Sequence, residues 1–211
     1  MLGAVESLAE ALGVAVFALT GALVAARRGM DPFGFALLAT ATGIGGGTVR
    51  DLLLGVRPVF WVAEPRDVII CVIVAGTTYA LGPERVARIE GDARGRLLLW
   101  ADALGLALFA VIGAQRALAA GASALPAVAL GTITATFGGI IRNLLAGTVP
   151  LLLRREIYVT AAALGAAVVA LANSAGLSPG LAGGLGFAAA FALRALALLR
   201  GWSLPAFPAR D

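Results

Sequence analysis

A glycine-rich stretch occurs twice in this chain, at residues 40–55 and again at 132–147. Each copy begins inside an apolar run, continues through adjacent glycines and then reaches an arginine. An offset of 92 residues aligns Gly46, Gly47, Arg50, Leu52, Leu53 and Gly55 with Gly138, Gly139, Arg142, Leu144, Leu145 and Gly147. Interrupted apolar segments at equivalent places in two halves of a chain are typical of membrane transport proteins. The doubled motif therefore predicts an integral membrane protein with a permeation pathway.

The composition agrees with a membrane location. Of 211 residues, 60% are hydrophobic and 13% are charged, and the mean hydropathy is +0.96. A soluble domain carries about 25% charged residues, so this chain lacks the polar surface of a water-soluble globule. All 16 basic residues are arginines, and the net charge is +4. Because they are scattered at the ends of apolar runs, as in the cytoplasmic loops of membrane proteins, we expect no nucleic-acid partner.

Cofactor chemistry is disfavoured by the residue types present. The chain has no histidine and one cysteine, Cys71, which lies in an apolar run. We therefore expect no metal site, no resident cofactor and no enzyme activity. For a permeation pathway in a membrane, the candidate ligands are permeant K⁺ or Na⁺ and bound lipid. Glu6 and Glu10 precede the first basic residue, Arg27. That order predicts that the first apolar segment is not a cleaved signal peptide.

Seven apolar segments approach the roughly 20 residues that a spanning helix needs. We place them at 5–26, 33–54, 66–82, 97–118, 124–146, 156–174 and 180–200. The predicted fold is thus an all-α membrane protein with seven transmembrane helices.

The repeat extends beyond the glycine motif, since Gly13 and Phe17 align with Gly105 and Phe109 at the same offset. Each copy holds three spans, and an odd number of spans means that the second copy inserts upside down. We therefore predict two inverted repeats related by a pseudo-two-fold axis in the membrane plane. The predicted divisions are a first three-helix repeat at 1–82, a charged cytoplasmic linker at 83–96, a second repeat at 97–174, and a seventh helix with a C-terminal tail at 175–211.

The arginines predict the orientation of the chain in the membrane. One side receives Arg27 and Arg28, the linker at 83–96, and the loop with Arg154 and Arg155. Basic loops face the cytoplasm, which predicts an external N-terminus and a cytoplasmic C-terminus in a prokaryotic plasma membrane. The small residues of the seventh helix favour either close packing in its own bundle or an outer position at an oligomer contact.

The glycines of the motif predict that helices 2 and 5 of the seven are broken there, since each glycine costs up to ~1 kcal/mol in a helix. Freed carbonyl groups facing a wet cavity would replace part of a cation's hydration shell. Close helix packing through small faces is the alternative for the glycines, and hydrogen bonding to their own backbone is the alternative for the neighbouring threonines. The predicted ion path is lined by Thr40, Thr42, Gly45, Gly46, Gly47, Thr48, Thr134, Thr136, Gly138 and Gly139.

Arg50 and Arg142 are the candidate gate, or a tether between helices, together with Asp51 and Asn143. A charge at the bilayer centre costs at least ~2.5 kcal/mol and marks function. We expect these arginines either to face the path and bond to carbonyl groups or to Asp51 across the pseudo-two-fold axis, or to extend to the headgroups. For the acids near the starts of helices 1 and 4, Glu10 and Asp102, the alternatives are helix capping and a vestibule charge for cations.

Four segments, 45–51 with 58–61 and 137–143 with 149–158, resemble the prokaryotic branch of the trimeric intracellular cation (TRIC) channels. They equally resemble bacterial membrane proteins built from two copies of a domain labelled a glycine transporter or of unknown function. The resemblance extends from about residue 12 to residue 200. It implies a homotrimer of seven-helix protomers in the lipid bilayer, one pore in each protomer, and conduction of monovalent cations, potassium above all. It also implies kinks at the glycines.

The sequence departs from the family at two points, and it leaves three hypotheses for the function. The chain has no lysine, so the phosphoinositide regulation of the animal members is not expected, and Asn143 replaces the acid found in the first copy, Asp51. The first hypothesis is a passive cation channel, favoured because the sequence predicts no acid in the middle of a span. The alternative is a secondary transporter of a small solute such as glycine. A scaffolding protein without flux is a third, weaker hypothesis.

Overall fold

The computed structural model describes residues 2–90, 96–148 and 157–204, with side chains from Ser7 onward. The described residues form eight α-helices: α1 Leu2–Arg27, α2 Pro32–Leu54, α3 Phe60–Ala63, α4 Arg66–Glu90, α5 Arg96–Ala119, α6 Ala124–Leu145, α7 Val159–Ser174 and α8 Pro179–Arg200.

Six of the described helices, α1, α2, α4, α5, α6 and α8, are long and apolar enough to cross a membrane. The remaining long helix, α7, is apolar but has 16 residues. It follows residues 149–156, so the predicted span 156–174 lies partly outside the described residues. The chain is a multi-pass, all-α membrane protein, as predicted.

The sequence defines where α2 begins and ends. Asp31 caps its start, accepting a hydrogen bond on Oδ1 from the Gly34 N–H at 2.7 Å. Pro32 follows in the first turn, where no backbone donor is needed. Gly55, in the left-handed conformation at φ +70°, ends the helix. These local signals explain why the predicted span 33–54 is close to the observed bounds.

The charged segment after the third span is helical at its start. α4 bends at Gly82, which has φ +75° and ψ 165°, and Pro83 follows directly. A proline cannot donate to the preceding turn, and a positive φ favours glycine. The apolar part of α4 thus ends at Gly82, as predicted, and the helix resumes through the charged residues as far as Glu90. Residues 91–95 lie outside the described part of the chain.

Both glycine motifs lie inside uninterrupted helices. Helical backbone continues through residues 43–47 of α2 and through Gly138 and Gly139 of α6, whereas the backbone of α4 leaves the helical region at Gly82. The backbone of these two helices therefore does not confirm the prediction that they are broken at the motif. The alternative, close packing, describes what the glycines do.

The glycines allow α2 and α6 to cross with their backbones in contact. A Cβ atom at Gly46 would overlap the carbonyl oxygen of Thr134, and one at Gly138 would overlap the carbonyl oxygen of Thr42. These two contacts exchange with each other under the 92-residue offset, as a two-fold relation between the helices requires. The helix-weakening effect of glycine is thus offset by close contact, as at other membrane helix interfaces.

The last helix, α8, packs within this bundle against α5 and α7. A Cβ atom at Gly186 would lie 2.5 Å from Val169 Cγ2, and one at Gly165 would lie 2.7 Å from Ala190 Cβ. The close-packing interpretation of its small residues therefore holds for one face of α8. Leucines on another face, such as Leu181 and Leu199, are exposed.

Candidate functional site

The two motif arginines are buried at opposite ends of the α2–α6 crossing. The crossing is antiparallel, since residue 42 lies beside 138 and residue 46 beside 134. Arg50 and Arg142 are each only 1% exposed. Neither side chain extends out of the bundle, so the headgroup alternative does not apply to them.

Arg142 joins three helices. Its Nη1 donates to Asp102 Oδ1 on α5 at 2.9 Å and to Thr20 Oγ1 on α1 at 2.8 Å. Its Nε donates to Asn143 Oδ1 at 3.1 Å. Asp102 and Thr20 are fully buried. A buried arginine needs such a neutralising partner, because an isolated charge in the membrane is costly. Of the two roles foreseen for Arg142 and Asn143, the geometry is that of a tether between helices.

Asp102 was assigned wrongly from the sequence. It is neither a helix cap nor a vestibule charge, because α5 begins at Arg96 and Asp102 lies in the next turn, 0% exposed. Asp102 is thus a buried acid in the second turn of a predicted span, although it does not lie in the middle of that span. The signal was present in the sequence, since five apolar residues, 97–101, precede Asp102 and place it beyond the helix start.

Arg142 and its partners Asp102, Thr20 and Asn143 form a buried cluster, which we call the Arg142 cluster. Arg194 and Tyr158 lie next to it, and the sequence did not reveal either of them. Arg194 of α8 places its Cζ 5.4 Å from the centroid of the Tyr158 ring, and its Nη1 donates to the Ile157 carbonyl oxygen at 3.3 Å. A Cβ atom at Gly139 would lie 2.9 Å from the Tyr158 hydroxyl oxygen and 3.6 Å from Arg142 Nη2. Gly139 therefore leaves space for this cluster.

Arg50 is neutralised within its own helix. Its Nε and Nη2 donate to Asp51 Oδ1 at 2.8 and 2.7 Å. The other oxygen of Asp51, Oδ2, accepts from the Phe60 N–H at 3.0 Å, and Arg50 Cζ lies 5.6 Å from the centroid of the Phe60 ring. The start of α3 is thereby attached to the end of α2. Trp61 adds to this contact, donating from Nε1 to Thr48 Oγ1 at 2.9 Å.

The two arginine clusters are therefore not equivalent. Glu10, which aligns with Asp102, does not bond to Arg50 but accepts from Arg116 Nη2 on Oε2 at 2.6 Å. Neither motif arginine bonds to Asp51 across the pseudo-two-fold axis, since Arg50 reaches it within α2. The replacement of this acid by Asn143 leaves Arg142 without a charged neighbour in its own motif, and α5 supplies the carboxylate instead.

The predicted path residues fall into separate groups. Thr42, Gly46, Thr134 and Gly138 meet at the crossing, whereas Gly45 faces Ile141, with 2.8 Å between a built Cβ and Ile141 Cδ1. A Cβ at Gly47 would lie 2.7 Å from Phe60 Cε1, so Gly47 accommodates α3. These path residues thus have different neighbours, and the lining of one path by all ten stays a prediction.

The threonine hydroxyls mostly bond to their own helices. Thr42, Thr48, Thr134 and Thr136 each donate to the carbonyl oxygen four residues earlier, at 2.6, 2.8, 2.6 and 2.8 Å. Thr40 is half-buried. The hydroxyl protons of the four are used, which leaves oxygen lone pairs that a cation would require. Among the described residues, no group of three or more His, Cys, Asp or Glu side chains is placed to hold a metal ion.

Comparison with known proteins shows the family to which this chain belongs. The family model described as glycine transporter matches residues 7–83 and 99–174. The chain belongs to this family. The UPF0126 inner membrane protein YadS of Escherichia coli K12 is 42% identical over 165 residues, which cover 77% of this chain and 76% of YadS. A UPF0126 membrane protein of Vibrio cholerae is 40% identical over 202 residues, covering 95% of this chain and 82% of that protein.

Solved TRIC channels have the same fold. The TRIC trimeric intracellular cation channel orthologue from Rhodobacter sphaeroides superimposes with a TM-score of 0.87 at 52% identity, covering 94% of this chain and 99% of the channel. A second TRIC cation channel superimposes with a TM-score of 0.85 at 32% identity, covering 97% of this chain and 98% of that channel. The family therefore includes both the TRIC channels and the UPF0126 membrane proteins, as the doubled motif indicated.

Proposed function

We propose that this protein is a channel for monovalent cations that assembles as a homotrimer in a prokaryotic plasma membrane, with one path through each protomer. The observation that carries the proposal is the likeness to a trimeric cation channel at 52% identity over 94% of the chain. The similar structures are channels and not enzymes, so transport rather than catalysis is the activity to test.

The proposed path runs between the two repeats and is selective for potassium over larger solutes. Uncharged oxygens suit a small cation that sheds part of its hydration shell. The threonines supply such oxygens near the α2–α6 crossing, where the helices touch through Gly46 and Gly138. Because backbone contact closes the crossing itself, conduction requires the helices to separate or the path to pass beside it.

The proposed gate is the buried tether from Arg142 to Asp102 and Thr20. It links α6 to α5 and α1 with three polar side chains, and an interhelical link of this kind opposes separation of the helices. Arg50 and Asp51 anchor α3 at the other end and form a second, local element of the gate. Moving one charge across the membrane potential is worth ~2.3 kcal/mol per 100 mV, so displacement of Arg142 would make opening voltage-dependent.

The proposed orientation has the N-terminus outside and the C-terminus in the cytoplasm. It places Arg27, Arg28 and the charged end of α4 on the cytoplasmic side, and the Arg142 cluster towards that side. A membrane-impermeant reagent should label a cysteine at the C-terminus only after cells are permeabilised, in a Cys71→Ala background. Labelling in intact cells would contradict this orientation and place the C-terminus outside.

A flux assay tests the proposed function. Potassium-loaded liposomes that contain the purified protein should release potassium faster than potassium-loaded liposomes without protein. Addition of valinomycin defines full release. Glycine counter-flow is measured in parallel, since Asp102 is a buried acid of the kind used in coupled transport. Saturable glycine exchange without potassium leak would replace the channel with a transporter. If neither potassium leak nor glycine exchange is detected, the channel and the transporter hypotheses are both contradicted. A mass measurement of the purified protein that gives a monomer would contradict the trimer.

A further inference from the structure

Arg194 lies outside both copies of the doubled motif, yet its side chain reaches the Arg142 cluster. Helix α8, which carries it, follows the second matched segment, 99–174. Arg194 is buried, with its guanidinium over the ring of Tyr158 and Nη1 bonded to the Ile157 carbonyl. Packing alone is served by small and apolar residues, whereas ionisable residues inside membrane segments are costly and mark function. A buried arginine on α8 therefore calls for a role.

Tyr158, whose ring lies under the Arg194 guanidinium, also approaches the tether between Arg142 and Asp102. The Tyr158 hydroxyl oxygen, Arg142 Nη2 and Asp102 Oδ1 lie 2.9, 3.6 and 3.9 Å from one point, the Cβ position of Gly139. In the described part of the chain, Asp102 Oδ2 and the Tyr158 hydroxyl are buried without a hydrogen bond. A buried polar atom without a partner is unfavourable. A hydrogen bond from the Tyr158 hydroxyl to Asp102 Oδ2 would satisfy both atoms and support the carboxylate that accepts from Arg142.

We propose that Arg194 is a positioning residue for the gate. Its guanidinium holds the Tyr158 ring by a cation–π contact, which keeps the hydroxyl beside the Asp102 carboxylate and so orients that carboxylate to accept from Arg142 Nη1. Movement of α8 against the start of α7 would then change how easily the tether opens. The inference rests on the proposed function, since it concerns the same gate. It assigns a role in gating to α8, which lies outside the two repeats.

Single-channel recording of Arg194→Gln in planar bilayers tests this role. We expect an increase of about two- to tenfold in open probability, with unchanged unitary conductance and a shifted voltage response. Arg194→Lys keeps the cation over the ring and should behave like the wild type. The matched control is Arg200→Gln, which removes a cation from the exposed end of the same helix, where Cζ lies 5.3 Å from the Trp202 ring centroid. It should leave gating unchanged.

Tyr158→Phe separates positioning from folding, because it keeps the ring under Arg194 and removes only the hydroxyl. It should raise open probability, and adding Arg194→Gln to it should have no further effect. Additive effects, or an Arg194→Gln variant that loses thermal stability but gates normally, would overturn the inference and leave the channel intact. A wild-type protein without cation current would overturn the proposed function and this inference together. If Arg194→Gln does not fold, the lysine and phenylalanine variants still decide.

Discussion

Replacing Asp102 by asparagine is expected to increase the open probability of the channel by about 5- to 150-fold and to destabilise the protein. Arg142 would lose the only carboxylate bonded to it among the described residues. Removing one partner of a buried ion pair costs about 3–5 kcal/mol, because the other charge is left uncompensated. If the pair forms only in the closed state, 1–3 kcal/mol of that loss would give the stated change in gating. Thermal unfolding in detergent and single-channel recording measure the two effects.

Glu10→Gln is the matched control for Asp102→Asn. Glu10 occupies the equivalent position in the first repeat, but its partner Arg116 has a side chain that is 46% exposed. Glu10 is buried, but the charge that Glu10→Gln leaves behind is that of Arg116, which reaches solvent, so gating and stability should change less than in Asp102→Asn. A double variant, Asp102→Asn with Arg142→Gln, should recover part of the lost stability, since the uncompensated charge is gone. Equal effects of Asp102→Asn and Glu10→Gln would contradict the tether.

Gly46→Ala is expected to destabilise the protein by about 3 kcal/mol, the upper end of the usual cost of overpacking. The new methyl group would overlap the Thr134 carbonyl oxygen, and this is backbone within α6 that cannot move aside. Gly138→Ala should behave in the same way against Thr42. Thermal unfolding of the purified variants measures the loss, and both variants should also yield less folded protein in the membrane.

Gly76→Ala provides the control for the glycine variants. Gly76 lies inside α4, and a Cβ atom there would meet nothing within 4 Å. Alanine should leave stability unchanged or raise it by up to ~1 kcal/mol, since glycine weakens a helix interior. Gly45→Ala faces the flexible end of Ile141 and should have an intermediate effect. If Gly46→Ala unfolds at the same temperature as Gly76→Ala, the α2–α6 contact is not as close as described.

The sequence alone predicted the class of the fold and the residues around which it is built. Hydropathy acts locally, so the apolar spans could be located without knowing any neighbour in space. The doubling of the motif can also be seen in the sequence itself, by aligning the chain with itself. It identified the family correctly and singled out both arginines, which the structure buries.

Tertiary structure decided what each of those residues does. Whether a glycine breaks a helix or packs it depends on what lies opposite, and at Gly46 that is the backbone of Thr134, 88 residues away in sequence. The same holds for charge. Arg50 and Arg142 have the same motif, yet one is neutralised by the next residue and the other by Asp102 on another helix. Burial cost and ion pairing are set by three-dimensional neighbours, and these contacts cannot be read from spacing along the chain.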